Sequence, residues 1–314
     1  SPAATDDTDG VLKLTVYGWG NGNDPAASSQ QIMLEAMTSY WVEPFEPTGA
    51  LMVGGSLKIS GNPTITGTAG TVNANGAIGI SGNPTISQDV SSTSSVSISG
   101  GPYIGGDVIT NGPTTKLPSI NPSDYKYLAD YILKTDGNVY NQAGGLIGSS
   151  PFNGWTYEGA NKWSLSGNTG YDGTYYFEGA DLVTVSGNPV FTATLIATGS
   201  INMSGNATIK PDSGGIAIMA GGDVSISGNP GYTYEGLIAA HEQIKISGNP
   251  QLNGVLLAED ATDVYNHVST GSQFDMTVSG NATITYNGDL ETALKDGYPY
   301  IKVLGFKKRI KARN

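Results

Sequence analysis

Few side chains in this 314-residue chain are of the types that carry out reactions at neutral pH. There are no cysteines and only two histidines, His241 and His267. Thiolate nucleophiles, disulfide frameworks and Cys-based metal sites are therefore excluded. His241 follows Ala239-Ala240 and precedes Glu242, and His267 follows Tyr265-Asn266. Neither has a partner at a metal-ligand spacing, so both read as solvent-facing loop residues. Serines are plentiful, but no Gly-x-Ser-x-Gly elbow occurs and no triad can be assembled from them. Acids cluster at Asp6, Asp7 and Asp9 and again at Asp260 and Asp263. Such oxygen ligands suit calcium, yet neither group follows an EF-hand or nonapeptide spacing, and turn chemistry is the simpler reading of Gly-Gly-Asp at Asp107 and Asp223. Cleavage of acidic polysaccharides needs clustered carboxylates or a basic proton acceptor. No arginine precedes Arg309, and the ten lysines before Lys307 stand singly. The expectation is no catalytic residue, no metal, no cofactor and no enzymatic activity.

Recognition chemistry is better represented. The 17 tyrosines include Tyr171, Tyr175, Tyr176, Tyr232 and Tyr234 near expected loops, and Trp155, Tyr157 and Trp163 lie in a weakly patterned stretch. Amphipathic aromatic side chains suit glycan or protein contacts. Trp155, Trp163, Tyr175, Tyr232 and Tyr234 are accordingly candidate surface contacts, the competing reading being that they cover coil edges. Net charge is −12. Five bases (Lys307, Lys308, Arg309, Lys311, Arg313) crowd the C-terminus, which leaves 10 bases against 27 acids for the rest. An acidic body repels phosphate backbones and anionic lipid, so nucleic acid is not an expected partner. The basic end suits an acidic neighbour or simple solvation. No run of 18 apolar residues occurs, so no segment of this chain reads as a membrane span. The opening Ser1-Pro2-Ala3-Ala4 reads as a processed or truncated start.

What would position these groups is a repeat. SGNP starts at Ser60, Ser81, Ser186, Ser227 and Ser247, with variants SGGP at Ser99, SGNT at Ser166, and SGNA at Ser204 and Ser279. Most steps are close to 20 residues. The exceptions are 32 residues, from Ser247 to Ser279, and 67 residues, from Ser99 to Ser166, the latter reading as three units with two weak copies between. Ahead of each motif the apolar residues alternate: Leu57 and Ile59, Ile78 and Ile80, Val96 and Ile98, Val183 and Val185, Val224 and Ile226, Ile244 and Ile246. Period two means a strand with one buried face. Gly and Asn tolerate positive φ and the following Pro sets the next extended segment, so the motif reads as a tight corner. Corners at a ~20-residue period let strands stack in parallel about 4.8 Å apart. The fold class is therefore all-β: a single-stranded parallel β-helix, right-handed being the expected hand, of ~10–12 coils. Asn62, Asn83, Asn168, Asn188, Asn206, Asn229, Asn249 and Asn281 should stack as a ladder along one edge.

Three segments follow. Residues 1–50 lack the motif and read as a β-hairpin that caps or docks. Residues 51–288 are the β-helix, with a helical insertion at about 121–134 that Asn121 and Pro122 would start and that packs on the side of the solenoid. Residues 289–314 are a last strand and the basic tail.

The segments Gly173–Gly179, Val183–Pro189, Thr194–Gly199 and Ile218–Asn229 together resemble the β-helical domain of PilX-like pilus assembly proteins, relatives of type IV minor pilins. The resemblance spans about residues 50–288, and bactofilin-like polymers share similar corners. It implies an extracellular or cell-surface location and a structural place in a type IV pilus-like filament or appendage. The implied partners are other filament subunits or copies of this chain. The apolar N-terminal helix usual in that family is not in this sequence. A glycan- or surface-binding adhesin is the alternative, with glycans as partners, and a carbohydrate-active enzyme comes third.

Overall fold

The computed structural model describes residues 11–19, 30–41, 45–212, 215–228, 233–259, 274–290, 294 and 300–312. The chain divides into two compact units, residues 45–294, and residues 1–44 together with 295–314.

In the smaller unit Val11–Trp19 and Gln30–Trp41 form the antiparallel hairpin, and Tyr300–Ala312 adds a third antiparallel strand along Gln30–Trp41. A two-stranded hairpin leaves both edges bare, and the C-terminal strand satisfies one of them. The basic residues expected as a tail are largely strand residues, with Lys307 opposite Glu35, Arg309 opposite Met33 and Lys311 opposite Gln31.

The larger unit is a β-solenoid. A ten-stranded sheet, parallel except for its last strand Trp155–Gly159, carries the motif strands, such as Leu57–Gly61, Ile78–Gly82 and Leu182–Gly187. A seventeen-stranded sheet supplies the other two flanks, because long strands such as Val190–Ala197 bend through both. Residues 190–192 pair with 208–210, and residues 195–197 pair with 218–220. Register is exact in its chemistry: Ile98, Ile80, Ile59, Val278, Ile246, Ile226, Met203, Val185 and Leu165 are successive partners across the ten-stranded sheet. From Ile80 to Leu165 they form a buried apolar column. Truncating one of them, for example Ile226→Ala, costs about 2–5 kcal/mol through lost burial and the cavity left behind.

The order of coils in space differs from their order in the chain. Leu57–Gly61 lies between Ile78–Gly82 and Met276–Val278, so the last coil of the chain stacks on the first. Three coils grow one way from residue 51 to residue 109. The chain then returns to the far end and builds six more coils back to the starting point. The 67-residue gap therefore holds no weak copies of the corner. It holds the return segment, a short helix and the hairpin strands of the far end.

The return segment explains the apolar runs Leu195–Ala197, Ile216–Ala220, Leu237–Ala240 and Val255–Ala258, which are buried on both strand faces. Strands covered on both sides lose the alternation of half-exposed ones. The covering residues include Ile120, Tyr125 and Ala129, all buried. Asn75 clamps the segment at its start, donating through Nδ2 to Thr115 O and accepting from Thr115 N, both at 2.8 Å. Further along, Ile120 N donates to Glu259 Oε2 at 2.7 Å.

The helix is a 3-10 helix over Pro122–Leu128, not an α-helix to residue 134. Asn121 caps it by accepting from Ser123 N, and Tyr125 is buried beneath it. Its C-cap, Ala129, is extended, and Tyr131–Lys134 forms a strand beside Tyr175–Glu178. Pairing to an open strand edge wins over the weak helical spacing of Leu128, Ala129 and Ile132. Lys126 and Lys134 both pair with Glu178 across this junction.

Candidate functional site

Nine corner glycines fall in one column, in the order Gly100, Gly82, Gly61, Gly280, Gly248, Gly228, Gly205, Gly187, Gly167. A Cβ on each of the first eight would lie 2.0–2.6 Å from the carbonyl oxygen of the next. Those eight have φ between 84° and 126°. The positive φ is thus carried by Gly at these corners and not by the Asn beside it. Asn62, Asn83, Asn188, Asn206, Asn249 and Asn281 each donate their backbone N–H to the carbonyl of the neighbouring coil's corner glycine. Their side chains stay at the surface and bond one another where geometry allows. Asn62 Nδ2 donates to Asn281 Oδ1 at 3.3 Å, Asn281 Nδ2 to Asn249 Oδ1 at 3.0 Å, and Asn188 Nδ2 to Asn168 Oδ1 at 3.1 Å. Asn229 lies outside the described residues. A parallel column of nine serines, Ser99 through Ser166, flanks the glycines, and Ser204 and Ser279 donate to Val185 O and Ile246 O. The edge is an uncharged strip of hydroxyls and amides at the pitch of the coils.

The two ends of the rod differ. At one end Val96–Gly100, Tyr103–Ile104 and Val108–Ile109 pair on one side only among the described residues. Ile98 occupies the core column, yet it is 47% exposed, with Tyr103, Val108 and Ile109 exposed beside it. The Ser99 corner is also where the repeat has Gly101 in place of Asn. The corner departs from consensus where no further coil follows, a signal that was present in the sequence.

At the other end aromatic rings close the core. Trp155 packs on Phe177 with ring centroids 4.7 Å apart, on Tyr175 at 5.9 Å and on Phe191 at 6.3 Å, and Tyr157 packs on Trp163 at 5.3 Å. Trp155, Trp163, Tyr175 and Tyr234 are all buried and do not form the surface expected of them, while Tyr232 lies outside the described residues. The terminal coil needs large apolar side chains to cover its open interior, and these rings supply them. Trp163 Nε1 donates to Lys134 O at 3.2 Å. Burial pushes the Tyr175 hydroxyl up to about 12, against a hydrogen bond from Asn153, so it remains a protonated donor.

His241 is not a lone loop histidine. It stacks on the next coil with Nδ1 2.6 Å from Glu259 Oε2, the same oxygen that accepts from Ile120 N. The Glu259 contact raises the imidazole above its ordinary value. Burial alone would raise Glu259, but hydrogen bonds from His241, Ile120 and Ser119 together hold it below the usual carboxylate range. Asp223 is buried and links coils, accepting from Gln243 N of the next coil at 3.1 Å. His267, Asp6, Asp7, Asp9, Asp260 and Asp263 lie outside the described residues. Among the described residues no three metal-binding side chains converge, and no helix is long and apolar enough to cross a membrane.

Fold and edge together define a β-solenoid. No protein-family model matches the chain. No curated protein sequence matches it. Two solved structures are similar in outline. One is the competence-associated pilin ComZ from Thermus thermophilus, at 12% identity and a TM-score of 0.35, covering 98% of this chain and 82% of that one. The other is an ice binding protein from an Antarctic biological consortium, at 15% identity and a TM-score of 0.35, covering 76% of this chain and 87% of that one. Likenesses this distant carry no functional weight.

Proposed function

We propose that this chain is a structural subunit of an extracellular, type IV pilus-like filament or surface appendage, with copies of itself as partners, and that it is not an enzyme. The observation that carries the reading is the bare terminal coil. Its core column ends in an exposed Ile98, its strand edges have no partner on the outer side among the described residues, and Asp107 is the only ionisable acid or base between Val96 and Asn111 apart from the Tyr103 phenol. Edges left exposed are normally blunted by charge or cover, because they pair with other chains. An edge with neither is suited to receive a further subunit. The pilus-like character rests on the resemblance of the repeat to that of PilX-like assembly proteins, and the surface location follows from the same resemblance.

The test is electron microscopy and analytical ultracentrifugation of the purified protein beside Ile98→Lys and Val108→Lys. The wild type is expected to form oligomers or fibres, and both variants to stay monomeric with unchanged circular dichroism. A wild type that is monomeric at every concentration, indistinguishable from the variants, overturns the reading.

A further inference from the structure

At the aromatic end the solenoid bears an open cleft of ≈ 470 Å³ lined by Tyr131, Asn153, Thr169, Tyr171, Asp172 and Tyr175, with Gly154 and Gly170 at its lip. Its volume falls in the range of sites for small organic ligands. The lining joins aromatic rings to polar groups. Tyr131 and Tyr175 pack together with ring centroids 5.0 Å apart, and Tyr171 lies with one side against Phe191 at 5.4 Å. Around these rings stand hydroxyls, an amide and one carboxylate. Thr169 Oγ1 donates to Tyr171 Oη, Asn153 bonds the Tyr175 hydroxyl, and Asp172 is exposed, with no hydrogen bond or ion pair among the described residues.

The backbone is shaped to keep these groups in place. Asn153 has φ of 45° and Gly154 of 78°, both in the left-handed region. A Cβ at Gly154 would lie 2.4 Å from Tyr171 Oη, so this position admits the phenol only as glycine. Strain of this kind in a non-Gly residue persists only where the surroundings hold it, and it concentrates at ligand sites. Tyr131 is buttressed on another side by Phe152 at 5.4 Å. Rings and lip are thus fixed before any ligand arrives, which lowers the entropic cost of binding.

We propose that this cleft binds a neutral saccharide. Sugars present apolar C–H faces that lie on aromatic rings, here the half-buried Tyr131 and Tyr171 with buried Tyr175 beneath them, and vicinal hydroxyls that a carboxylate and an amide engage together. Asp172, with Asp130 held nearby by Thr174 N at 2.8 Å, makes the site repel phosphate and uronic acid groups. The openness of the cleft to solvent on one side suits the end or side of a chain and not an enclosed cation, although tyrosines beside a carboxylate are also a cation-binding chemistry. The inference is independent of filament assembly, since the cleft lies at the end opposite the bare coil.

The test titrates the intact chain with cellobiose and N,N′-diacetylchitobiose, with digalacturonate and choline as counter-probes, followed by calorimetry and by a glycan array. At least one neutral saccharide is expected to saturate the protein with a millimolar or tighter dissociation constant. Asp172→Ala and Asn153→Ala should each weaken that binding by tenfold or more, while Ser186→Ala on the motif strip leaves it unchanged. Tyr171→Phe, which removes one oxygen and keeps the ring, serves as the variant least able to unfold the site, and should weaken binding several-fold. A blank array, binding that survives all three cleft variants, or preference for choline or digalacturonate over every neutral sugar overturns the proposal.

Discussion

A corner glycine meets two demands, a positive φ and the close passage of a neighbouring carbonyl. Gly82 faces both, with φ of 87° and a would-be Cβ 2.3 Å from Gly61 O. Gly144 faces the first alone, with φ of 83° and nothing within 4 Å. Gly144→Ala is therefore expected to cost about 1–2 kcal/mol, the penalty for an L-residue in the left-handed region. Gly82→Ala adds overpacking against backbone that cannot rotate away, for roughly 3 kcal/mol or more in all. Denaturant titrations of the two variants check this, and equal shifts in midpoint would remove the steric part of the argument. At this scale the corner was legible in the sequence because its four residues recur together, and each has a separate physical task. The aromatic residues were not. Trp155 and Tyr175 have the composition of a contact surface, and only the position of their coil at the end of the stack decides that they are core.

Among elements, the one with no repeat signature does the most unusual job. The return segment lies along the apolar flank and is fastened by Asn75 at one point and by Glu259 at another. Its presence was foreshadowed by strands such as Ile216–Ala220, which are apolar without alternation and so require cover on both faces. Which segment provides the cover depends on where the chain turns back, and no local pattern encodes that. The Glu259 fastening is pH-sensitive. His241 has its folded value raised above 6.5, so its contribution to stability is complete below 6.5 and is lost as pH rises through the raised value. Glu259 has its folded value lowered below 4.5, so its contribution is complete above 4.5 and is lost as pH falls through the lowered value. The fastening is strongest between those limits. Wild-type protein should lose thermal stability as pH rises above about 6.5, and His241→Gln should remove that part of the slope. Glu259→Gln should flatten the profile and speed exchange of the Ile120 amide. Identical pH profiles for wild type and His241→Gln would show that the pair adds nothing to folding.

For the whole molecule the decisive feature is the seam where the last coil meets the first. Most solenoids couple each coil only to its neighbours in sequence, so they form and open progressively from any point. Here Asn62 and Asn281 are bonded across 219 residues, as are Thr66 and Thr285. Both halves of the rod must be in place before the seam can close. Contacts at such separation make folding slow, because loop closure precedes the stabilisation that rewards it. They also place the seam in the interior of the rod, covered by coils on both sides, while among the described residues the coil at residues 96–112 is paired on one side only. Native-state hydrogen exchange separates the two regions. The amides of Tyr103 and Gly105, which bond Pro84 O and Ile86 O at the bare end, are expected to open by local fraying with little protection. The amides of Asn62 and Thr64, which bond Gly280 O and Ala282 O, are expected to exchange only with global unfolding, so their opening free energy should equal that from denaturant titration. If the seam amides instead exchange as fast as those at the bare end, the two halves behave as separate rods that merely touch. The coupling of early to late chain would then play no part in stability. If they exchange last, the topology itself makes a nine-corner stack unfold as one body, the property a subunit under tension would need.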